Sequence, residues 1–118
     1  VNANMRAWRL KNAERSRYYD YVKADRRRGH GPTLPCDVAV ELMTKCCFYC
    51  GGARAGGLDR KDSMAGHTLD NVVPCCERCN FILGDLPFGA KVALSSGLQQ
   101  VRAENLWSEW TVPLRRRS

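Results

Sequence analysis

The chain has 118 residues, of which 44% are hydrophobic and 26% are charged, and its formal net charge is +7. This length predicts one domain with a small core, to which a structural metal would add needed stability. No run of about 18 apolar residues occurs, so the sequence predicts no transmembrane helix.

Two features of the sequence bear on the cellular compartment. The chain has seven cysteines, and it does not open with a charged segment followed by an apolar one, as a secretion leader would. The odd number and the paired Cys-x-x-Cys spacing favour metal binding over a disulfide framework. The start of the chain does not support secretion. We therefore expect an intracellular protein in a reducing compartment, the cytoplasm, with no membrane partner.

Charge divides the chain into three segments. Residues 1–35 carry a net +6, residues 36–88 carry −2, and residues 89–118 carry +3. We predict a basic helical N-terminal arm, a cysteine-rich core, and a C-terminal helix with a basic tail, all within a single domain. A polyanion held by basic flanks and cut at an acidic centre requires this distribution, although a solvated basic surface would also produce it.

The first predicted helix runs from Ala3 to about Arg28 and ends at the glycines that follow. Its middle is polar on every side, so it cannot be a core helix throughout. The residues expected to anchor it to the body are Trp8, Leu10, Tyr18, Tyr19 and Val22.

A basic stripe along this helix is the predicted nucleic-acid contact. Its members are Arg6, Arg9 and Arg17, with Arg26, Arg27 and Arg28 beyond them. An arm lying on a phosphate backbone would present such a stripe, and so would an ordinary exposed helix.

Four further elements are predicted before residue 85. Asp37 is a plausible N-cap for a helix over Val38–Lys45, with Val38, Leu42 and Met43 facing inward. Leu58–Arg60 is a short strand, residues 61–69 form a polar loop, and Asn71–Pro74 is a second strand ended by its proline. The next helix starts near Cys75, runs to Leu83 and ends at Gly84.

The last predicted helix spans Phe88–Glu104, and two tryptophans after it are expected to pack back on the body. Its apolar set is Phe88, Val92, Leu94, Leu98 and Val101, and the tryptophans are Trp107 and Trp110. The fold class is therefore α+β, with a strand, loop, strand and helix over residues 57–84.

Two Cys-x-x-Cys pairs are separated by 25 residues, and this spacing predicts a structural zinc site. The predicted ligands are Cys47, Cys50, Cys76 and Cys79. The remaining cysteines, Cys36, Cys46 and Cys75, are interpreted as small buried or half-buried thiols.

With these cysteines in place, residues 47–85 resemble the core of the HNH endonuclease family, the ββα-metal enzymes. The family has an Asp-His pair at the end of its first strand, a central Asn, and His or Asn after the final cysteine. Asp59, Asn71 and Asn80 match these positions; ten residues separate Arg60 from Asn71, and eight separate Asn71 from Asn80. The resemblance implies a small zinc-clipped ββα-metal core over 36–88 with flanking helices.

By the family's chemistry, the Asp59 carboxylate and the Asn80 amide oxygen would hold one Mg²⁺ or Mn²⁺. That ion would stabilise the leaving 3′ oxygen and the extra charge on the phosphorus. Asn71 would orient the general base or its loop.

The family's general base, the His after the Asp, is replaced here by Arg60. A guanidinium stays protonated, so Arg60 cannot take a proton from water, but it can hold a phosphate. The resemblance then leaves the base to another group, and His67 in the loop is the first candidate. His30, Asp62 and metal-bound hydroxide are the alternatives.

These observations predict a metal-dependent HNH endonuclease that cleaves or nicks DNA phosphodiester bonds, with double-stranded DNA as its partner. Two other classes stay open, a catalytically silent nucleic-acid-binding zinc module and a zinc-held protein-interaction domain. The presence of Asp59 and Asn80 argues against both of these classes, since neither class needs oxygen ligands at these two positions.

Overall fold

A computed structural model describes Asn4 and residues 12–113 of the chain. In this part of the chain, helices surround a two-stranded antiparallel sheet. The elements are α1 (Ala13–Arg27), α2 (Cys36–Met43), β1 (Leu58–Arg60), a 3₁₀ turn (Leu69–Asn71), β2 (Val72–Pro74), α3 (Glu77–Leu83) and α4 (Phe88–Ala103). The predicted α+β class is confirmed, and no described helix is long and apolar enough to cross a membrane.

Helix α1 begins at Ala13, with Asn12 as its N-cap, and it ends at Arg27 as the chain turns through Gly29 with φ +74°. The predicted start at Ala3 lies outside the described residues. Tyr18 anchors it, because its side chain is buried and its hydroxyl donates to the Leu34 carbonyl at 2.8 Å. Tyr19 was expected to anchor as well, but its side chain is exposed. Trp8 and Leu10 lie outside the described residues.

Helix α2 begins two residues before its predicted start. Its N-cap is Pro35, so Asp37 lies in the first turn and is not the cap. Ala39 and Met43 are fully buried, whereas Val38 and Leu42 are only half-buried. The inward face is therefore centred one residue further along the helix than predicted.

The ββα unit has the predicted order. In the sheet Leu58 pairs with Pro74, Asp59 with Val73 and Arg60 with Val72. Asn71 was expected to open the second strand, but it ends the 3₁₀ turn because its side chain is bound to the preceding loop. Helix α3 starts at Glu77 because Cys76 is its N-cap, with its sulfur accepting from the Cys79 N–H.

Helix α4 has the predicted length but not the predicted inner face. Leu98 is buried as expected, whereas Val92 and Leu94 are exposed. The residue that faces inward in their place is Lys91, which is 2% exposed. A helix turned this way brings an ammonium group, not two aliphatic side chains, to the body of the protein.

Within the described residues, two hydrophobic clusters form the core. One lies between α1, α2 and the sheet and consists of Tyr18, Leu34, Ala39, Met43, Leu58 and Val72. The other surrounds the paired cysteines and includes Tyr49, Leu83, Leu98 and Trp107, with Trp110 packed against it. The predicted packing of both tryptophans onto the body is thereby confirmed.

Candidate active site and metal centre

The four predicted zinc ligands converge on one point. The sulfurs of Cys47, Cys50, Cys76 and Cys79 all lie within 4.8 Å of one another, and the Cys50 and Cys76 sulfurs are 3.8 Å apart. Tetrahedral zinc with Zn–S bonds of about 2.3 Å places sulfurs about 3.8 Å apart, whereas a disulfide would need about 2 Å. The group therefore fits one zinc ion.

Backbone N–H groups surround these sulfurs. Gly52 donates to Cys50, Cys76 donates to Cys47, and Cys79 donates to Cys76, each at 3.4 Å. Donors aimed at a sulfur favour the thiolate, which is the form that binds metal. The turns at the two Cys-x-x-Cys pairs, the first zinc knuckle (Cys47 and Cys50) and the second (Cys76 and Cys79), therefore favour the thiolate form of the ligands as well as positioning them.

The other cysteines are not members of this group of four. Cys75 is buried, and a side-chain hydrogen bond with Cys47 together with its burial raises the pKa of its thiol. It donates to the Cys76 carbonyl at 3.3 Å, as a thiol and not a ligand would. Cys36 is half-buried as predicted, but Cys46 is exposed, because it stands just outside the first knuckle.

A cleft of about 740 Å³ opens beside the ββα unit. Four of the five predicted catalytic residues line it, namely Asp59, Arg60, His67 and Asn80. Other lining residues come from α1, α3, α4 and the turns that follow α1 and α3, and they include Tyr21, Arg28, Asp85 and Lys91. Residues of α1 and α4, which are far apart in the sequence, thus lie around the predicted catalytic residues in the same cleft.

Asp59 is held by two partners at the bottom of this cleft. Lys91 Nζ lies 3.1 Å from its Oδ1 and 2.9 Å from its Oδ2, and the Tyr49 hydroxyl donates to Oδ2 at 2.6 Å. Burial and the neighbouring carboxylate raise the pKa of Tyr49, so the phenol remains a donor. Sequence reasoning missed Lys91, and the only signal was a lysine inside the apolar pattern of α4.

His67 is buried and paired with a residue of α1. Its Nδ1 lies 2.9 Å from Asp25 Oδ1, its ring stacks on Tyr21 at 4.3 Å, and its backbone N–H donates to Asp25 Oδ2 at 3.2 Å. A carboxylate can only accept, so Nδ1 carries the proton and Nε2 keeps a lone pair. This tautomer is the one that can take a proton from a nucleophile.

The electrostatics of this pair also favour a neutral imidazole. Burial lowers the pKa of His67, and this outweighs the opposite effect of Asp25. Burial alone would oppose ionisation of Asp25, but hydrogen bonds from Thr33, at 2.6 Å, and from His67 lower the pKa of that carboxyl. The pair is therefore an ionised carboxylate beside a neutral histidine at neutral pH.

Arg60 lines the cleft and also binds the loop that carries His67. Its Nη1 donates to the carbonyls of Ser63 and Ala65, both at 3.0 Å. Burial and the nearby Arg28 lower the pKa of its guanidinium. A guanidinium has five N–H donors, so one nitrogen can hold the loop while others face a phosphate.

Asn71 does not line the cleft. Its Nδ2 donates to the carbonyls of Asp62 at 3.1 Å and Gly66 at 2.8 Å, and its Oδ1 accepts from the Asp62 N–H at 3.0 Å. These three bonds close the loop between the strands. Asn71 is thus placed to set the loop's shape, and through it the position of His67.

The predicted Mg²⁺ or Mn²⁺ ligands lie on one cleft, but they do not fit a divalent ion as the side chains stand. Asp59 and Asn80 both line the cleft, which places two oxygen-bearing side chains together. Both Asp59 oxygens, however, are already bound to the Lys91 ammonium, and Oδ2 is also bound to Tyr49. A cation could bind Asp59 only if Lys91 left it.

The basic stripe continues into the cleft. Arg17, Arg26, Arg27 and Arg28 are exposed, and Arg28 lines the cleft itself. Arg17 lines a neighbouring groove of about 340 Å³, which shares Tyr21, Asn80 and Phe81 with the cleft. Arg6 and Arg9 lie outside the described residues.

No protein-family model matches the chain, and no curated protein matches it in sequence. Among solved structures it is similar to PacI, described as a rare-cutting HNH restriction endonuclease that perturbs DNA. The TM-score is 0.65 and the identity 18%, over 78% of this chain and 80% of that chain. The resemblance expected from the sequence is thus confirmed: the chain has the HNH endonuclease fold, built around four cysteines that can hold a zinc ion.

Proposed function

We propose that the protein is an endonuclease that hydrolyses phosphodiester bonds of double-stranded DNA. The observation that carries this proposal is the buried Asp25–His67 pair in a cleft that also contains Asp59 and Arg60. A zinc module that only bound DNA would not need a histidine fixed in the proton-accepting tautomer by a buried carboxylate. The DNA acted on by PacI and the basic stripe of α1 support the choice of substrate.

In the proposed reaction, His67 Nε2 removes a proton from a water molecule, and the water oxygen attacks the phosphorus. The bond from phosphorus to the 3′ oxygen breaks, and that oxygen leaves with the bonding electron pair and takes a proton from solvent, while the His67 imidazolium returns its proton to solvent. Arg60 and Arg28 supply positive charge beside the extra negative charge on the phosphoryl oxygens. Asp25 holds the imidazole and stabilises its protonated form between the two proton transfers.

A second candidate function has one specific observation in its favour. The Asp59 carboxylate, which the family resemblance assigns to metal binding, is neutralised by Lys91. A DNA-binding zinc module without cleavage would tolerate such a pair permanently. The same assay separates the two functions.

The test is nicking of supercoiled plasmid DNA by the zinc-loaded protein with Mg²⁺ or Mn²⁺, beside two variants. His67→Ala removes the proposed base, and Asp59→Ala removes the carboxylate that the resemblance assigns to the divalent ion, so each should lower the rate by roughly 10²–10⁴ with zinc content preserved. Full activity in His67→Ala would move the role of base to His30, Asp62 or water on the metal. No nicking by the wild type, with normal binding of the plasmid, would establish the non-cleaving module instead.

A further inference from the structure

Lys91 is a buried charge that the proposed reaction does not use. It is 2% exposed, yet it lines the cleft from the first turns of α4. A lysine is almost never fully buried unless it is paired, and its partner is Asp59. The pair lies on the carboxylate that the sequence resemblance assigns to a divalent ion.

The Lys91 ammonium binds both oxygens of the Asp59 carboxylate. Nζ is within 3.1 Å of both carboxylate oxygens, so the ammonium occupies the side of Asp59 on which a cation would sit. Two cations at one carboxylate repel each other, and a hard divalent ion needs these same oxygens. We propose that the Lys91 ammonium competes with a divalent cation for Asp59 and thereby sets the affinity of this site for that cation.

The fold allows this exchange without moving α4. The helix is attached to the first zinc knuckle through Gln99, which donates to the Tyr49 carbonyl at 3.3 Å, and Arg102, which donates to the Cys50 carbonyl at 2.6 Å. Lys91, by contrast, has a flexible four-carbon stem, and its ammonium can swing from Asp59 into the cleft it lines. A phosphate in that cleft would accept it.

The proposal rests on the proposed function, because it concerns the same site, but it is tested by binding and not by cleavage. Mn²⁺ binding to the zinc-loaded full chain without DNA is measured by electron paramagnetic resonance of the free ion. Lys91→Met removes the charge at similar length and should tighten Mn²⁺ binding roughly tenfold or more. Lys91→Arg keeps a cation at Asp59 and should not tighten it.

Two controls define the site and the cause. Asp59→Asn should remove the tight binding when it is combined with Lys91→Met. Tyr49→Phe takes a neutral donor from the same carboxylate, which accepts its hydroxyl at 2.6 Å, and should change Mn²⁺ affinity far less than Lys91→Met does. A tightening in both single variants would mean that any lost hydrogen bond frees Asp59, and it would overturn competition by charge.

Mn²⁺ affinity in Lys91→Met that is equal to or below the wild-type value would also overturn the proposal, as would no binding by either protein. If Lys91→Met does not fold, Lys91→Gln, which keeps a polar donor, should show the same order of affinities. Failure to nick DNA despite the expected order would refute the proposed function alone.

Discussion

At the scale of single residues, the tautomer and orientation of His67 are set by Asp25 of helix α1 and not by the loop that carries the histidine. Asp25 binds both the ring and the backbone N–H of His67, and Thr33 in turn donates to Asp25. One carboxylate therefore fixes the tautomer, the ring orientation and the position of the loop. Such a role predicts a particular pH dependence.

The nicking rate should fall as the pH drops through the His67 pKa, because only the neutral imidazole accepts a proton. That pKa lies below the usual value of a histidine, mainly because of burial. Asp25→Asn removes an interaction that raises this pKa, so the acidic limb of kcat/KM should move to still lower pH. The plateau rate should fall roughly 10²-fold, since the imidazolium loses its counter-charge.

Thr33→Val is the matched control, since it removes a hydrogen bond to Asp25 and leaves the carboxylate. Its acidic limb should stay near that of the wild type. A purely structural role for Asp25 would lower the rate without moving the limb. A limb that persists in His67→Ala would show that another group titrates.

Arg60→His tests whether the Asp-Arg pair is a lost base or a working contact. Arg60 holds the Ser63 and Ala65 carbonyls, and a histidine cannot reach both and also face a phosphate. We expect the nicking rate to stay flat or fall, with zinc content unchanged. A rate well above wild type would contradict the proposal and restore the family's usual base position.

Arg60→Lys is the charge-matched comparison. It keeps one cation but loses the planar fork, so it should be less active than the wild type by roughly 10-fold or more. Equal activity in Arg60→Lys and wild type would show that only the charge matters.

The placement of site residues could be predicted from the sequence where it depends on local spacing. The zinc ligands follow from two short cysteine pairs, and the positions of Asp59, Asn71 and Asn80 follow from a motif. Asp25 and Lys91 could not be found this way, because they lie 42 and 32 residues from their partners. Asp25 is an acidic residue in a basic helix, and Lys91 is a lysine in an apolar pattern. The role of each becomes visible only when the fold places it beside its partner.

At the scale of elements, α3 depends directly on the zinc centre. The helix has seven residues, and Cys76 is both its N-cap and a predicted ligand. A helix this short is not stable without tertiary support. The two strands are three residues each, so the same dependence extends to the sheet.

Cys76→Ser separates the cap from the metal, because serine is itself a good N-cap. We expect the wild type to contain one zinc per chain, and Cys76→Ser to lose zinc together with its cooperative thermal unfolding. Zinc content is measured on the purified protein, and unfolding by circular dichroism.

Cys46→Ser is the control for this variant, since Cys46 is exposed and adjacent to a ligand but lies outside the group. It should keep both zinc and stability. Wild-type zinc content in Cys76→Ser, or an intact fold without any zinc, would refute the predicted centre.

Apart from the start of α1, the boundaries of the described elements were predicted within a few residues, and the errors have physical reasons. The start of α3 moved because Cys76 is a cap, and the start of β2 moved because Asn71 serves the loop. The inner face of α4 was wrong because one buried ion pair outweighed two aliphatic side chains. Periodicity alone carries no information about that ion pair.

At the scale of the whole molecule, the basic segments flank a more acidic centre, and the described part of α1 runs to the edge of the cleft. DNA held along α1 would therefore present its backbone to His67 and Arg60. This arrangement separates affinity, which should come from the arm, from chemistry, which should come from the centre.

Replacing Arg26, Arg27 and Arg28 with alanine should flatten the salt dependence of DNA binding. Each lost phosphate contact lowers the slope of log K against log salt by about 0.9 on duplex DNA. Binding is measured by fluorescence anisotropy over a range of salt concentrations. Nicking at low salt should persist because the Asp25–His67 pair is untouched, but at a reduced rate, because Arg28 no longer lines the cleft.

Arg54→Ala is the matched control for this set. Arg54 is also exposed, but it is paired with Glu14. In Arg54→Ala the slope of log K against log salt should remain close to that of the wild type. An unchanged slope in the triple variant would show that the end of α1 does not lie on the backbone.

The burial of Trp107 has a practical consequence. Its indole belongs to the cluster that contains Cys50 and Cys79, and the Arg78 guanidinium lies over its ring, 5.4 Å from the centroid. When a chelator withdraws the metal, this cluster should open and water should reach the ring. The emission maximum should then shift to longer wavelength, so the protein carries its own optical reporter of zinc occupancy.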